Sequence, residues 1–257
     1  MRRVTPKVFL VGSTSIEEQG MADYLSHVGA PEWTSDASSS PEKLTEFMGR
    51  LCYKSWREGM NANVTKVRKG NYDYLTNVIE SRHGALFEHA VTNWVFADVS
   101  RVFTHELVRH RAGVAYSQES LRFVRLTDLG LWLPEEAQNT PWLVSLFERT
   151  FKNLEDLQLM LATDLQLDGD IKFKDKKILT SLMRRLAPLG LATTIGASFN
   201  FRSLRHIIEL RTAEAAESEV RFVFGEVAKI CKKRWTNIFA DFSQNEKGEW
   251  VTENRKI

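Results

Sequence analysis

Cysteine is scarce in this sequence, with 2 among 257 residues. Cys52 and Cys231 lie far apart, and neither belongs to a CxxC pair. Their number and spacing exclude a disulfide framework and a zinc cluster, and they fit a reducing compartment. Because both cysteines fall in helical, partly apolar runs, we expect two buried structural thiols.

An excess of one charge is also missing. The chain has 35 Lys and Arg against 33 Asp and Glu, which leaves a formal net charge of +2. The net charge of such a nearly neutral chain indicates neither a nucleic acid nor a membrane surface as its partner. The apolar run from Val8 to Val11 is far shorter than a signal-peptide core or a membrane span. We therefore expect a cytoplasmic protein with no membrane partner.

Common catalytic motifs are missing too. There is no GxxxxGK[ST] and no GxGxxG, and Ser198 lacks the second glycine of a nucleophile elbow. His105-Glu106 followed by His110 resembles the HExxH zinc motif, but the second histidine comes one position too late. On a helix the two rings would point about 140° apart, so they cannot share a metal ion. We expect no metal site.

The patterns that are present predict both strands and helices. No repeat divides the chain, so we expect a single domain over residues 1–257, and 43% hydrophobic residues can form a sizeable core. The predicted strands are Lys7–Val11, Val91–Val99, Ser117–Val124 and Leu191–Asn200. The predicted helices are Glu42–Trp56, Tyr72–Arg82, a helix capped by Ser100 that runs to about His110, a long helix beyond Pro141, one from about Lys172 to before Pro188, Arg202–Leu210 and a final helix around 220–231.

Two helices carry apolar stripes at helical spacing, and we interpret both stripes as core packing. The final helix has its stripe at Val220, Val223/Phe224, Val227 and Ile230/Cys231. The long helix has its stripe at Leu143, Leu146/Phe147, Thr150/Phe151, Leu154, Leu157 and Leu161.

The densest polar cluster is Arg109-His110-Arg111, at the end of a predicted helix. Cations at a helix C-terminus complement the macrodipole, which gives the cluster a purely structural explanation. If Ser117–Val124 is a strand, however, Gln118, Ser120 and Arg122 share one face. An amide, a hydroxyl and a guanidinium in a row suit the binding of an anionic, ring-bearing ligand. Glu106 and Arg109 share a helix face and would extend this site.

A second polar group comes about eighty residues later. Arg184 precedes Pro188, and a run of polar residues follows the next predicted strand. Salt bridges to Glu209, Glu214 or Glu217 on a solvated face are the alternative explanation for its arginines. The polar residues of that run are Asn200, Arg202, His206 and Arg211.

Four elements in this order resemble one known family. Arg109-His110-Arg111 is followed by Ser117-Gln-Glu-Ser-Leu-Arg-Phe123, and the segment from His83 to His89 reads His-Gly-Ala-Leu-Phe-Glu-His. Arg184 to Pro188 reads Arg-x-x-x-Pro, and Asn200-Phe-Arg-Ser leads to His206 and Arg211. Between about residues 75 and 240 the chain thereby resembles the flavin-dependent thymidylate synthases.

The resemblance implies an α+β fold with a central, mostly antiparallel sheet flanked by helices and a helical C-terminal half. It implies FAD-dependent methylation of dUMP at C5 to give dTMP, with methylenetetrahydrofolate as carbon donor and NADPH as further cosubstrate. It also implies a homotetramer whose sites are shared between chains. By motif position the flavin contacts would be His83, Ala85, Glu88, Arg109, His110, Arg111, Asn200, Arg202 and His206. The nucleotide contacts would be Glu106, Arg109, Gln118, Glu119, Ser120, Arg122, Arg184 and Arg211, with Arg211 as the catalytic residue that polarises the pyrimidine at N3.

The chain departs from the family pattern at several positions. Eight residues separate Arg111 from Ser120, one more than usual, Val114-Ala115 replace a common serine, and Phe123 replaces the final tyrosine. Glu106 stands where glutamine is common. The spacer and Glu106 motivate the hypothesis that the substrate is an altered pyrimidine nucleotide such as UMP.

Two other classes of protein remain alternatives. Five arginines between Arg101 and Arg125, with aromatic residues among them, are compatible with nucleic-acid binding. A scaffold that kept the fold and lost the activity is the second alternative, for which the altered spacer is the argument.

Overall fold

A four-stranded antiparallel sheet forms the centre of the computed structural model, which describes residues 1–255 and 257. The strand order is β2-β3-β6-β4, and each neighbouring pair is antiparallel. The expected mostly antiparallel sheet is therefore confirmed. The strands are β1 (Arg2–Arg3), β2 (Lys7–Ser13), β3 (Val91–Ser100), β4 (Val114–Gln118), β5 (Gly130–Leu131), β6 (Ala192–Asn200), β7 (Ser243–Gln244) and β8 (Trp250–Val251).

Helices cover the sheet and make up most of the rest of the chain. They agree with the predicted helices to within a few residues at each end, and α1 and α5 are additional. The helices are α1 (Glu18–His27), α2 (Ser40–Tyr53), α3 (Asn71–Glu80), α4 (Arg101–Leu107), α5 (Glu135–Gln138), α6 (Pro141–Asp164), α7 (Phe173–Met183), α8 (Phe201–Thr212) and α9 (Ser218–Arg234). None of these helices is both long enough and apolar enough to cross a membrane.

The main core lies between one face of the sheet and the pair α8–α9. Strand β6 alternates, so that Ile195, Ala197 and Phe199 are buried while their neighbours are less so. Phe224 on α9 is fully buried and lies against Phe96 and Phe199 of the sheet. The stripe predicted on the last helix is confirmed as core.

The stripe on α6 is only partly core. Phe151 is buried against Leu129, Leu131 and Leu191. Leu146 and Phe147, however, are 40% and 38% exposed. The prediction of core packing is wrong for these two residues and for Thr150, which is also exposed, because helical spacing shows that a face is apolar without showing what covers it.

The predicted strand Ser117–Val124 is wrong in its bounds. Strand β4 ends at Gln118, opposite Ile195 of β6. The chain then turns, since the Ser120 carbonyl accepts hydrogen bonds from the amides of Phe123 and Val124 at 2.9 and 3.0 Å. The Ser120 hydroxyl also accepts from the Arg122 amide at 3.3 Å, a local bond that competes with strand pairing.

The two cysteines differ. Cys231 is buried as predicted, whereas Cys52 is exposed. Cys52 lies near the end of α2, and the apolar residues around it do not cover it. The prediction of two buried thiols is therefore wrong for Cys52.

Candidate active site

Helix α4 carries Glu106, and buried hydrogen bonds fix the residue that caps its N-terminus. Ser100 is the N-cap, and its hydroxyl accepts from the amide of Phe103 at 3.1 Å. The carboxylate of Glu219 on α9 accepts from both the Ser100 amide, at 2.6 Å, and the Ser100 hydroxyl. Burial raises the pKa of Glu219 to about 7, although the bonds to Ser100 lower it. The position of α4 is thus tied to the start of α9.

Arg211, at the end of α8, is held by Glu106 and His110, which lie more than 100 positions earlier in the sequence. Its Nη1 donates to Oε2 of Glu106 at 2.9 Å and its Nη2 to the Glu106 carbonyl at 3.1 Å. Its Nε donates to Nε2 of His110 at 2.8 Å. Glu106 also pairs with Arg109 at 3.2 Å, as their spacing predicted. We call Glu106, His110 and Arg211 the Arg211 cluster.

The Arg211 cluster requires a neutral His110. Burial, the positive charge of Arg211 and the nearby His206 together lower the pKa of His110 to about 4. At neutral pH the ring therefore carries one proton and its Nε2 accepts from Arg211. The guanidinium is fixed from two sides, and one of its neighbours is uncharged.

Acidification should strain this cluster. Because His110 has a lower pKa in the folded chain than when unfolded, the unfolded chain binds more protons between about pH 6.5 and pH 4. The contribution of the neutral His110 to the free energy of unfolding is therefore full above about pH 6.5 and declines as the pH falls towards 4. His110→Gln, whose amide oxygen can still accept from Arg211, should not show this decline.

Urea unfolding of both proteins at several pH values measures the effect. Glu219 has a raised pKa and so gives the opposite slope over part of this range. Glu219 is present in both proteins, so the difference between their free energies of unfolding at each pH reports His110 alone. A difference that stays constant from pH 7 to pH 4.5 would contradict the assigned protonation state.

The start of α8 forms a second cluster with the loop after the Arg-His-Arg triplet. Asn200 is the N-cap of α8, and its side-chain oxygen accepts from the Ser203 amide at 2.8 Å. The Ser203 hydroxyl donates to the Ala112 carbonyl at 2.6 Å. Gly113 has φ +64°, and a Cβ there would lie 2.2 Å from the side-chain Nδ2 of Asn200. Only glycine allows this close approach, which brings the triplet loop against the helix start.

Glu88 and Arg202 line the same region and form an ion pair at 2.5 Å. Arg202 also donates from Nε to the carbonyl of Ile257 at 2.7 Å. The cavity here has a volume of 330 Å³. Its lining is Glu88, Ala112, Gly113, Asn200, Arg202, Ser203, His206 and Ile257. Because His206 also lies close enough to His110 to lower its pKa, this cavity adjoins the Arg211 cluster.

A third cluster is basic and surrounds Arg184. A cavity of 340 Å³ is lined by Arg184, Arg185, Arg101 and His105, together with Ser181, Leu121 and the segment 187–189. No acidic side chain lines it in the described part of the chain. The pKa of the Arg101 guanidinium is lowered by burial and by the charge of Arg184, although Glu119 opposes this. Concentrated positive charge of this kind suits a phosphate group.

Arg101 and Arg185 are site candidates that the sequence analysis did not select. Arg101 entered only as one of several clustered arginines, and Arg185 follows Arg184 directly. A signal was available for Arg101, because a cation in the first turn of a helix opposes the macrodipole and is unusual unless it has another role.

The predicted row of Gln118, Ser120 and Arg122 does not form, because the strand ends at Gln118. The carboxylate of Glu119 instead accepts from the Thr194 amide at 3.1 Å, which holds it against β6. Nε of Arg122 is buried and has no hydrogen-bond partner among the described residues.

The remaining predicted flavin contacts lie outside these clusters. His83 lies at a separate cavity and stacks on Tyr53 with ring centroids 6.5 Å apart. Ala85 is exposed in the 3₁₀ turn Gly84–Glu88, and Arg111 is exposed beside β4.

The fold and these clusters define an α+β protein with arginine-lined pockets suited to anionic ligands. A family model described as "Thymidylate synthase complementing protein" matches residues 35–235. A flavin-dependent thymidylate synthase of Mycobacteroides abscessus is 33% identical over 223 residues, covering 82% of this chain and 83% of that protein. One from Corynebacterium efficiens is 33% identical over 213 residues, covering 82% of each.

Two solved structures share the fold. The UMP/dUMP methylase PolB from Streptomyces cacaoi, bound with 5-Br UMP, has a TM-score of 0.64 at 16% identity and covers 93% of this chain and 96% of its own. Thymidylate synthase X from Helicobacter pylori, with FAD and dUMP, has a TM-score of 0.55 at 19% identity and covers 92% and 98%. This chain belongs to the flavin-dependent thymidylate synthase family.

Proposed function

We propose that this protein methylates dUMP at C5 to give dTMP, with FAD as cofactor and methylenetetrahydrofolate as carbon donor. Beyond family membership, one observation carries the proposal: Arg211 is a guanidinium fixed by Glu106 and a neutral His110. Methylation at C5 places negative charge on the uracil ring and its carbonyl oxygens. A preorganised cation stabilises such charge without transferring a proton.

The chemistry does not need a thiol. Bound reduced flavin supplies the hydride, so a covalent thiol adduct with the ring is not required. Burial raises the pKa of Cys231 well above its usual value, which keeps it a thiol at neutral pH. The family assignment therefore agrees with the scarcity of cysteine.

The residues present fit a flavin dinucleotide. In the 330 Å³ cavity lined by Asn200, the Arg202 guanidinium can donate to a diphosphate, and the backbone and amide groups of the lining can bond a polar ring edge. We assign the flavin to His83, Ala85, Glu88, Arg109, His110, Arg111, Asn200, Arg202 and His206, with NADPH as the reductant.

We place the nucleotide between the Arg211 cluster and the basic cavity. Arg211 would bind the pyrimidine, and Arg184, with Arg101 and Arg185 beside it, would bind the phosphate. The other nucleotide contacts are assigned to Glu106, Arg109, Gln118, Glu119, Ser120 and Arg122.

A homotetramer in the cytoplasm completes the proposal. Monomeric proteins rarely expose contiguous apolar patches larger than a few hundred Å², and larger patches mark interaction sites. Leu182 and Leu189, on either side of Arg184, are 58% and 62% exposed. A second copy packed here would cover these leucines and close the basic cavity, which agrees with sites shared between chains. Further exposed apolar residues are Phe123, Trp142, Met160, Phe173 and Ile178.

The purified protein should be yellow, with flavin absorbance that changes when dUMP is added. In a turnover assay with methylenetetrahydrofolate and NADPH, dUMP should give dTMP. UMP is the second substrate to test, because Glu106 replaces the usual glutamine beside Arg211. Efficient methylation of dUMP with no reaction of UMP would exclude the altered-nucleotide hypothesis.

The nucleic-acid alternative predicts a different result. In the arginine-rich run, Arg109 pairs with Glu106 and Arg125 pairs with Asp168 at 2.6 Å, which leaves less free charge than the sequence suggests. A nucleic-acid-binding protein would lose affinity steeply with salt and show no flavin absorbance. A colourless protein with salt-sensitive DNA or RNA binding would overturn the proposed function.

A further inference from the structure

Two adjoining cavities lie beside the flavin side of the site, and apart from His83 no residue of their lining has a role in the proposed reaction. The inner cavity, of 190 Å³, is lined by His83, and the outer one, of 530 Å³, extends to Lys69 and Gly70. Arg50 and Arg68 line both of them. We call the two cavities together the basic groove.

The basic groove has a clear excess of positive charge. Lys66 lines its inner part, Arg57 and Lys69 line its outer part, and Arg68 lies where the two meet. Glu58 is the one acidic residue in its described lining. Lys66 and Lys69 are exposed and have no ion-pair partner among residues 1–255 and 257, so their charges are available to a ligand.

The loop that carries these cations, residues 54–70, is held from beneath by Arg50. This guanidinium is buried and is neutralised by Glu46, to which it donates at 2.7 and 2.8 Å. It also donates to the carbonyl oxygens of Ser55 and Arg68, both at 2.8 Å. Both ends of the loop are therefore fixed before any ligand arrives, which lowers the entropic cost of binding.

Aromatic side chains form part of the walls of the basic groove. Tyr53 and His83 stack at the inner end, with an angle of 16° between their rings. Trp33 and Trp56 contact each other at the outer end, with ring centroids 5.2 Å apart. Aromatic walls beside unpaired cations suit a ligand that joins a ring to several negative charges.

We infer that the basic groove binds the anionic tail of a cosubstrate. The inference rests on the proposed function, which supplies two cosubstrates of this chemistry. Methylenetetrahydrofolate ends in a glutamate that can be extended to an oligoglutamate chain, and NADPH carries a 2′-phosphate and a diphosphate. In both, a ring system joins a chain of anions, which would follow the groove outward from His83 past Arg68 to Lys69.

The test is the double variant Lys66→Glu and Lys69→Glu in the FAD-loaded enzyme. Both side chains are exposed, so the fold should not change. The matched control is Lys7→Glu with Lys233→Glu, two exposed lysines far along the sequence, which alters the net charge equally. KM is measured for pentaglutamyl against monoglutamyl folate, and for NADPH against NADH.

We expect a rise in KM of about tenfold for one of the charged forms, equivalent to about 1.4 kcal/mol. Its less charged counterpart and the control variant should change less than about twofold. A rise in KM for pentaglutamyl folate alone identifies the folate tail as the ligand. A rise in KM for NADPH alone identifies the phosphate of the reductant. Unchanged KM values for all four would overturn the inference, as would loss of FAD from the double variant, because the groove would then belong to the flavin site.

Calorimetric titration separates this inference from the proposed function. Pentaglutamyl folate and NADPH are each titrated into wild-type holoenzyme and into the double variant. If wild type binds one of them and the variant binds it about tenfold more weakly, the basic groove is supported even in an enzyme that does not methylate dUMP. Equal affinity in both proteins overturns it even in an active enzyme.

Discussion

Arg211→Ala should abolish methylation of dUMP, with a fall in turnover of about 10³-fold. Three donors of this side chain are fixed by Glu106 and His110, so the guanidinium is preorganised, and in the proposed reaction it would lie where charge develops on the pyrimidine. In another class of enzyme, removal of a single preorganised donor lowers turnover by about 10²–10³-fold. Single-turnover measurement of dTMP formation in the flavin-loaded enzyme would show the loss.

The fold and the flavin content should survive this change. Glu106 keeps Arg109 as a partner, and Arg211 contributes little to the buried core. Arg234→Ala, at an exposed position on α9, is the matched control and should leave turnover unchanged. Arg211→Lys should rescue little, because an ammonium group cannot reach both partners with a planar fork. Turnover near the wild-type value in Arg211→Ala would remove Arg211 from its catalytic role.

Arg205→Ala should produce the largest loss of stability, about 3–5 kcal/mol of the free energy of unfolding. Arg205 is buried on α8 and donates to both carboxylate oxygens of Asp241, at 2.8 and 2.7 Å. The same guanidinium donates to the Ile238 carbonyl and lies 4.8 Å from the ring centre of Phe242. Without it, Asp241 would remain as a half-buried, uncompensated charge.

Urea unfolding at several pH values tests this expectation. Burial alone would raise the pKa of Asp241, but the hydrogen bonds and charge of Arg205 outweigh it and hold the pKa below its usual value. This stabilisation is full above about pH 4 and is lost as the pH falls through the lowered pKa. The cost of Arg205→Ala should accordingly be greatest at neutral pH and shrink in acid.

An ion pair between the same helix and an exposed arginine is the control. Arg255 pairs with Glu209 of α8 at 2.9 Å but is 68% exposed. Arg255→Ala should cost less than about 1 kcal/mol, because solvent screens the pair. If Arg205→Ala were no more costly than Arg255→Ala, the buried pair would not be an anchor of α8.

The regular elements could largely be predicted from sequence because their signals are local. Ser100 and Asn200 cap α4 and α8 as short polar residues before apolar periodic runs do. The apolar stripe on α9 also indicated its buried face. The end of β4 could not be predicted, because the alternation over 117–124 does not show that Ser120 accepts local hydrogen bonds from Arg122, Phe123 and Val124 instead of pairing with a strand.

The candidate site, too, could be predicted from the sequence only in part. The motifs around Arg109, Asn200 and Arg211 carried the family assignment. The sequence offered Glu209, Glu214 and Glu217 as ion partners for the arginines of α8, yet Arg211 pairs with Glu106. Nothing near Glu106 in sequence indicates this contact, which spans 105 positions.

By itself, the sequence determined the family, the elements and the types of side chain that the reaction needs, because motif order and periodicity are written along the chain. Only the tertiary structure decided which charges meet. The packing of α4 and α8 at the ends of two neighbouring strands brings Arg211 onto Glu106 and His110, and burial there removes the charge of the histidine. It also gathers Arg101 and Arg185 around Arg184, and it leaves Lys66 and Lys69 without an ion-pair partner among the residues that the structure describes. Charge pairing depends on distance and burial, and both are properties of the folded chain.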